Sequence, residues 1–183
     1  MNNTFKFAYF AGGCFWCTEA IYLRINGVIS VVPGYCGGYL PNPTYEQVCS
    51  GDSGHAELVK IEYDPKEIDY ISLVDIFFNT HDPTTLNRQG NDSGTQYRSA
   101  IFCANEDEKR TVINFIKNLY NSDKIVTEVN LLDVFYPAED YHKNYYNMNK
   151  NSSYCSFTIT PKVTKFMDRY KEMLRKIGFR NLK

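Results

Sequence analysis

The chain has 183 residues, of which 43% are hydrophobic and 22% charged, and its formal net charge is −1. That length and balance suit one domain, spanning 1–183, with a core large enough to fold without covalent staples. The near-neutral charge excludes a bulk electrostatic drive toward nucleic acid or acidic membranes, and no stretch approaches the ~18 apolar residues of a membrane span.

Phe5 to Ala11 alternates Phe5, Phe7 and Tyr9 and reads as a strand. Phe15 to Ile25 follows as a helix stopped at Asn26-Gly27, a left-handed cap. Val28 to Val32 is a β-branched strand ended by Pro33-Gly34. Tyr35 to Thr44, rich in Gly, Pro and Asn, reads as a loop, and Tyr45 to Cys49 as a helical turn. Ala56 to Tyr63 is a strand. Ser72 is taken as the N-cap of a helix over Leu73 to Asn79. His81 to Gly94 is a long loop full of turn formers, of a length that is usually functional. Tyr97 to Cys103 is a strand. Asn105 caps a helix whose first turn holds Glu106, Asp107 and Glu108 and whose buried stripe is Val112, Ile113, Ile116, Leu119 and Tyr120. Ile125 to Leu132 is a strand, Ala138 to Met148 a helix, and Lys150 to Ser153 a polar loop before Tyr154-Cys155.

From Lys162 to Lys183 eight basic residues stand against Asp168 and Glu172, a net of +6 that leaves −7 for the rest. We read this as the solvated face of an amphipathic helix whose other side is Phe166, Tyr170, Met173, Leu174 and Ile177, in preference to a nucleic-acid patch. The alternation of elements predicts an α+β fold: a two-layer α/β sandwich with a mixed sheet, a ferredoxin-like core and an irregular C-terminal tail ending in the basic helix.

The segment Gly12-Gly13-Cys14-Phe15-Trp16-Cys17 places two cysteines and the chain's only Trp at a strand-to-helix junction. First-turn N–H groups and the helix dipole favour a thiolate there. Redox or metal chemistry and simple packing both fit such a pair; the Gly-Gly turn favours the former. Zinc lacks support, because Cys36 and Cys49 are too widely spaced to supply a second close pair. The start of the chain lacks a basic n-region followed by a sufficient apolar run, so the expected localisation is cytoplasmic. In that compartment six cysteines read as buried, metal-binding or catalytic rather than as a disulfide scaffold. Cys103 reads as core packing. Cys155, after a polar loop, suits a thiol that must travel.

On the strand over 56–63, Glu57 shares a face with Val59, Ile61 and Tyr63. A carboxyl at the mouth of a strand on the core side is either a strand-end group reaching solvent or, if desolvated, a neutral general acid. His55, His81 and His142 could each be a base or ligand, but each sits beside turn residues or acids, where histidine is commonly structural, and none has metalloprotease or zinc-finger spacing.

The residues Gly13-Cys14-Phe15-Trp16, Gly54-His55-Ala56-Glu57, the block from His81-Asp82-Pro83-Thr84 through Gln96-Tyr97-Arg98-Ser99, Phe135-Tyr136-Pro137-Ala138-Glu139 and Tyr141-His142 resemble those of the A-type peptide methionine sulfoxide reductases. The resemblance covers nearly the whole chain up to Cys155. It implies reduction of methionine-S-sulfoxide, free or in proteins, as repair after oxidation. Cys14 would attack the sulfoxide sulfur, Glu57 would protonate the oxygen, Tyr45 and Tyr97 would hydrogen-bond that oxygen, and Asp92 would hold the polar side of the site. Phe15 and Trp16 would receive the S-methyl group. The product is a Cys14 sulfenic acid, which a second thiol converts to a disulfide; thioredoxin would recycle it. No cofactor or metal is implied, and a monomer is expected. Most members carry Gly where this chain has Cys17. A helix holds i and i+3 Cβ atoms ~5–6 Å apart, against the ~3.8 Å of a disulfide. Cys155 sits where several members carry a resolving Cys, so the resemblance implies that Cys155 resolves first, with Cys17 as a second shuttle, although CxxC pairs do close across a first helical turn.

Overall fold

Strand β1 (Lys6–Gly12) runs through the middle of a six-stranded sheet in the order β7-β6-β1-β3-β2-β8, with β2 spanning Val28–Cys36, β3 Ala56–Tyr63, β6 Ser99–Cys103, β7 Glu128–Leu131 and β8 Tyr136–Pro137. The structure is a computed structural model and describes residues 4–175. β1 pairs antiparallel with β3 (Phe10 opposite Val59) and with β6 (Gly12 opposite Ser99), β2 runs antiparallel to β3 and β8, and only β6 and β7 are parallel. The helix α1 (Phe15–Tyr22) crosses from β1 to β2, and α3 (Tyr70–Thr80) from β3 to β6. This is the split βαβ arrangement of a ferredoxin-like core, and the fold is α+β with a mixed sheet, as the alternation predicts.

One face of the sheet carries the main core: Ala8, Phe10, Val59, Ile61 and Ile101 meet Ile21, Tyr22, Leu73, Ile76 and Phe77 of the helices. The other face is covered more thinly, with Tyr9, Ala11, Leu58, Ala100 and Phe102 under Leu132 and Phe135. β1, buried on both faces over its second half, is therefore apolar without strict alternation.

Several boundaries differ from the sequence reading. β2 runs on through Pro33-Gly34 to Cys36: Gly34 lets Phe135 and the Tyr136 carbonyl approach so closely that a Cβ would lie 2.4 Å from each. Helix α3 begins at Tyr70, because Asp69 rather than Ser72 is the N-cap and its side chain accepts from the Ser72 amide. Helix α1 ends three residues early. The loop over 81–94 contains a two-residue hairpin, β4 (Arg88–Gln89) with β5 (Asp92–Ser93). Tyr97 lies in a single helical turn, Thr95–Tyr97, ahead of β6. The short helix α2 is Tyr45–Cys49 with the capping box Thr44–Gln47, and α4 is Glu106–Lys117 capped by Asn105. In the stripe after α4, Tyr120 is exposed.

The stretch over 138–148 is not one helix. It contains a turn, Asp140–His142, and the four-residue helix α5, Tyr145–Met148, preceded by Asn144 in the left-handed region. The polar loop leads into a π-helical turn, Cys155–Ile159, continuous with α6 (Thr160–Arg169). Cys155 is fully buried in that turn. The expected basic helix ends at Arg169; the chain then makes one turn, Lys171–Met173, and Leu174 bridges to Ile25. Ile177 lies outside the described residues.

Candidate active site

The end of β1 and the start of α1 place Cys14. Gly13 has φ +89°, and a Cβ there would lie 2.6 Å from Cγ of Gln89, which the β4–β5 hairpin presses against the junction. Only glycine fits both that space and that backbone. Cys14 is the N-cap of α1, and its carbonyl accepts from the Cys17 and Thr18 amides at 3.1 and 3.4 Å. Its side chain is 7% exposed.

The Cys14 thiol is in hydrogen-bonding contact with the Cys17 thiol, the Tyr154 hydroxyl and the Trp16 amide. Burial is the largest influence on it and raises its pKa well above that of a free thiol, with the neighbouring Cys17 adding to the rise; the Tyr154 and Trp16 donors lower it by less. The expectation that the first turn alone would hold Cys14 ionised is thus corrected: desolvation outweighs the helix terminus. Of the two thiols, Cys17 is the one whose ionisation is favoured. Hydrogen bonding from Cys14 lowers the Cys17 pKa, burial opposes it, and the Lys162 ammonium lowers it further.

Glu57 reaches the same place from β3. Its Oε2 accepts from the Phe15 amide at 3.0 Å, and its side chain is 1% exposed. Burial pushes the carboxyl well above the usual range, and the adjacent Cys14 adds to this. Glu57 is therefore biased toward its protonated form, and it is not a strand-end group reaching solvent.

Tyr45 on α2 and Tyr97 ahead of β6 both lie within the field of Glu57, and burial raises both hydroxyls, which remain donors. Asp92 accepts from the Tyr154 hydroxyl at 2.7 Å. Phe15 packs among Tyr45, Trp16 and His142, with centroids at 6.4, 6.3 and 4.9 Å. Trp16 stacks face to face on Tyr145 at 3.7 Å, and its Nε1 donates to His142 Nδ1 at 3.1 Å. That bond fixes His142 as the tautomer protonated on Nε2. Burial keeps its ring neutral. Behind this wall, Glu139 accepts from the Tyr35 hydroxyl and the Tyr45 amide, each at 2.9 Å.

The structure thus gathers Cys14, Phe15, Trp16, Cys17, Tyr45, Glu57, Asp92 and Tyr97 about one point. Tyr154, the chain neighbour of Cys155, hydrogen-bonds the Cys14 thiol. His55 and His81 serve the frame. His55 holds Gly38 and Leu40 of the loop after β2, and His81 joins Phe77 to Ser99.

Four site residues escaped the sequence reading. Tyr154 touches both thiols. Lys162 lies beside Cys17. Cys49 hydrogen-bonds Tyr45. Glu19, buried on α1, accepts from the Asn144 amide at 2.8 Å. Only Glu19 carried a local signal, as a carboxylate inside an otherwise apolar helical stretch.

Two thiols, a buried carboxyl and a set of hydroxyl donors among packed aromatic rings can attack, protonate and reduce; this is the equipment of a thiol-dependent oxidoreductase. Residues 6–174 match the family model described as peptide methionine sulfoxide reductase. A peptide methionine sulfoxide reductase MsrA of Acinetobacter baumannii is 52% identical over 169 residues, which is 92% of this chain and 97% of that one. The reduced form of Mxr1 from Saccharomyces cerevisiae shares 34% identity at a TM-score of 0.77, over 85% of this chain and 91% of that one. Mxr1 in complex with Trx2 shares the fold, at 24% identity and a TM-score of 0.54 over 79% and 87% of the two chains. The chain belongs to the A-type peptide methionine sulfoxide reductases. It is an oxidoreductase acting on a sulfur group, and its activity is methionine sulfoxide reduction in protein repair. No helix among the described residues is long and apolar enough to cross a membrane.

Proposed function

We propose that the chain, acting as a single cytoplasmic domain, reduces methionine-S-sulfoxide, free or in proteins, through a sulfenic acid on Cys14. The observation that carries this is Glu57, a buried acid bonded to the amide next to Cys14. The substrate methyl enters the Phe15–Trp16 recess, and its oxygen faces Glu57, Tyr45 and Tyr97. Cys14 gives up its proton to the Cys17 thiolate and attacks the sulfoxide sulfur. Glu57 protonates the oxygen, and the Tyr45 and Tyr97 hydroxyls support the developing charge. The oxygen passes to Cys14, giving methionine and the sulfenic acid. Asp92, through Tyr154, holds the polar side.

The second thiol then expels that oxygen as water and forms a disulfide. The contact between Cys14 and Cys17 supports Cys17 as the first partner, with Cys155, next in chain to Tyr154, as the thiol that takes the disulfide onward. This is the reverse of the order implied by the resemblance. Thioredoxin is the proposed reductant; Mxr1 in complex with Trx2 motivates the choice.

Cys14→Ser tests the reading. Turnover of methionine sulfoxide should vanish while circular dichroism and melting stay native-like. A Cys14→Ser protein with full activity would overturn it.

A further inference from the structure

We propose that Lys162 is a positioning residue for the second half of the reaction, holding its ammonium against Cys17 so that Cys17 attacks the Cys14 sulfenic acid as a thiolate. The inference rests on the reading of Cys17 as first partner and adds the residue that equips it.

Lys162 lies in the first turn of α6, and its Nζ is 4.0 Å from Cys17 Sγ. The helix that carries it is pinned. Val163 and Phe166 are buried, and the Thr160 hydroxyl donates to the Cys155 carbonyl at 3.0 Å. Lys162 forms no ion pair with a carboxylate among the described residues; on α6 and the turn after it, Asp168 pairs instead with Lys171. On its far side is a cavity of about 300 Å³ that Lys165 and Arg169 also line. Lys165 and Arg169 disfavour withdrawal of the ammonium into the cavity, and Asp82, which also lines it, attracts it without forming an ion pair. Among the described residues the Cys17 sulfur is the hydrogen-bond partner of the lysine head.

The other groups facing Cys17 do not duplicate this role. Cys14 and Tyr154 are neutral donors, and Asp92 opposes ionisation, though its Oδ2 is engaged by Tyr154. His81, which faces Lys162, is kept neutral by burial, with a pKa of about 4. Asp82, beside it, accepts from the Thr84 amide and hydroxyl through Oδ1. Lys162 is the one cation among the groups acting on Cys17.

In the step served, Cys17 first releases to solvent the proton it took from Cys14, and the resulting thiolate supplies an electron pair to the Cys14 sulfur. The S–S bond forms, the S–O bond breaks, and the departing oxygen takes a proton from solvent and leaves as water. Cys17 is oxidised and the sulfenic sulfur reduced. An opposite charge within ~4–6 Å typically moves a pKa by one to three units. Loss of the ammonium should therefore raise the pH midpoint of disulfide formation by about one unit or more and slow the step about tenfold near pH 7.

The test uses the full-length reduced protein with excess methionine sulfoxide and no external reductant. Rapid quench follows methionine release and thiol loss from pH 5.5 to 9.5 in wild type, Lys162→Met and Lys162→Arg, and peptide mapping identifies the disulfide. The expected result is a Cys14–Cys17 bond, a midpoint raised by about one unit or more in Lys162→Met, and a near-normal midpoint in Lys162→Arg. A Cys14–Cys17 bond with the same midpoint in wild type and Lys162→Met would overturn the role of Lys162 alone. A first disulfide between Cys14 and Cys155, with Cys17 still free, would overturn the reading of Cys17 beneath it. Should Lys162→Met fail to fold, ultraviolet thiolate titration of Cys17 in Cys14→Ser with and without Lys162→Gln gives the same decision, since a structural role would not shift that titration.

Discussion

Burial acts on Cys14 and Glu57 in the same direction, and only one of them benefits in the resting state. A desolvated carboxyl keeps the proton it must donate; a desolvated thiol keeps the proton it must lose. In the proposed mechanism the second cysteine resolves the conflict, because its thiol is in hydrogen-bonding contact with that of Cys14. Glu57→Gln keeps the shape and a donor but has no proton to transfer. It should slow the single-turnover burst of methionine by ~10²–10⁴-fold, the usual worth of a general acid. A burst at the wild-type rate would remove Glu57 from the role. Glu57 was legible in the sequence because a period-two strand assigns faces without tertiary knowledge. The state of Cys14 was not, because it depends on Tyr154, 140 positions on, and on a helix whose packing no local pattern reveals.

At the scale of elements, α1 does more than present thiols. Its buried Glu19 accepts from Asn144, fixes the left-handed turn before α5, and so sets Tyr145 against Trp16. The arrangement has a pH signature. Burial raises the Glu19 pKa to about 7 from an ordinary 4.5. Between those values the folded chain holds a proton that the unfolded chain releases, so this group's contribution is fully present below pH 4.5 and is lost as pH rises through 7. Glu19→Gln keeps the acceptor and never ionises. At pH 8 it should melt a few degrees above wild type, and at pH 4 the two should nearly coincide; a gain of equal size at both values would contradict the assignment. The stretch over 138–148 was misread as a helix for a related reason. Its polar residues Glu139 and His142 point inward to bonds made with Tyr35, Tyr45 and Trp16, and those long-range partners override the local helical spacing.

At the scale of the whole molecule, the sheet order was legible because alternating elements of these lengths admit few arrangements. The closing of the chain was not. A charge pattern that fits a long amphipathic helix gives way at Tyr170, whose hydroxyl donates to Asp75 at 3.0 Å. The next residues run back along the α1–β2 turn, where Asn26 donates to the Met173 carbonyl at 2.8 Å and the Arg175 amide to Arg24 at 2.9 Å. This strap closes the base of the sandwich, far in sequence from the thiols. Ending the chain after Tyr170 removes those bonds and the half-buried Met173 and Leu174. At about 1 kcal/mol per bond plus the lost burial, the melting temperature should fall by about 5–10 °C. An unchanged melting curve would mean the strap contributes nothing to stability.

Trp16 is the only tryptophan in the chain, and it lies two residues from Cys14 with its ring flat on Tyr145 and its nitrogen on His142. All indole emission from this molecule therefore originates two residues from Cys14. The protein carries its own optical probe, silent about the rest of the fold and placed where the proposed reaction would bring a methyl group and change the oxidation state of sulfur.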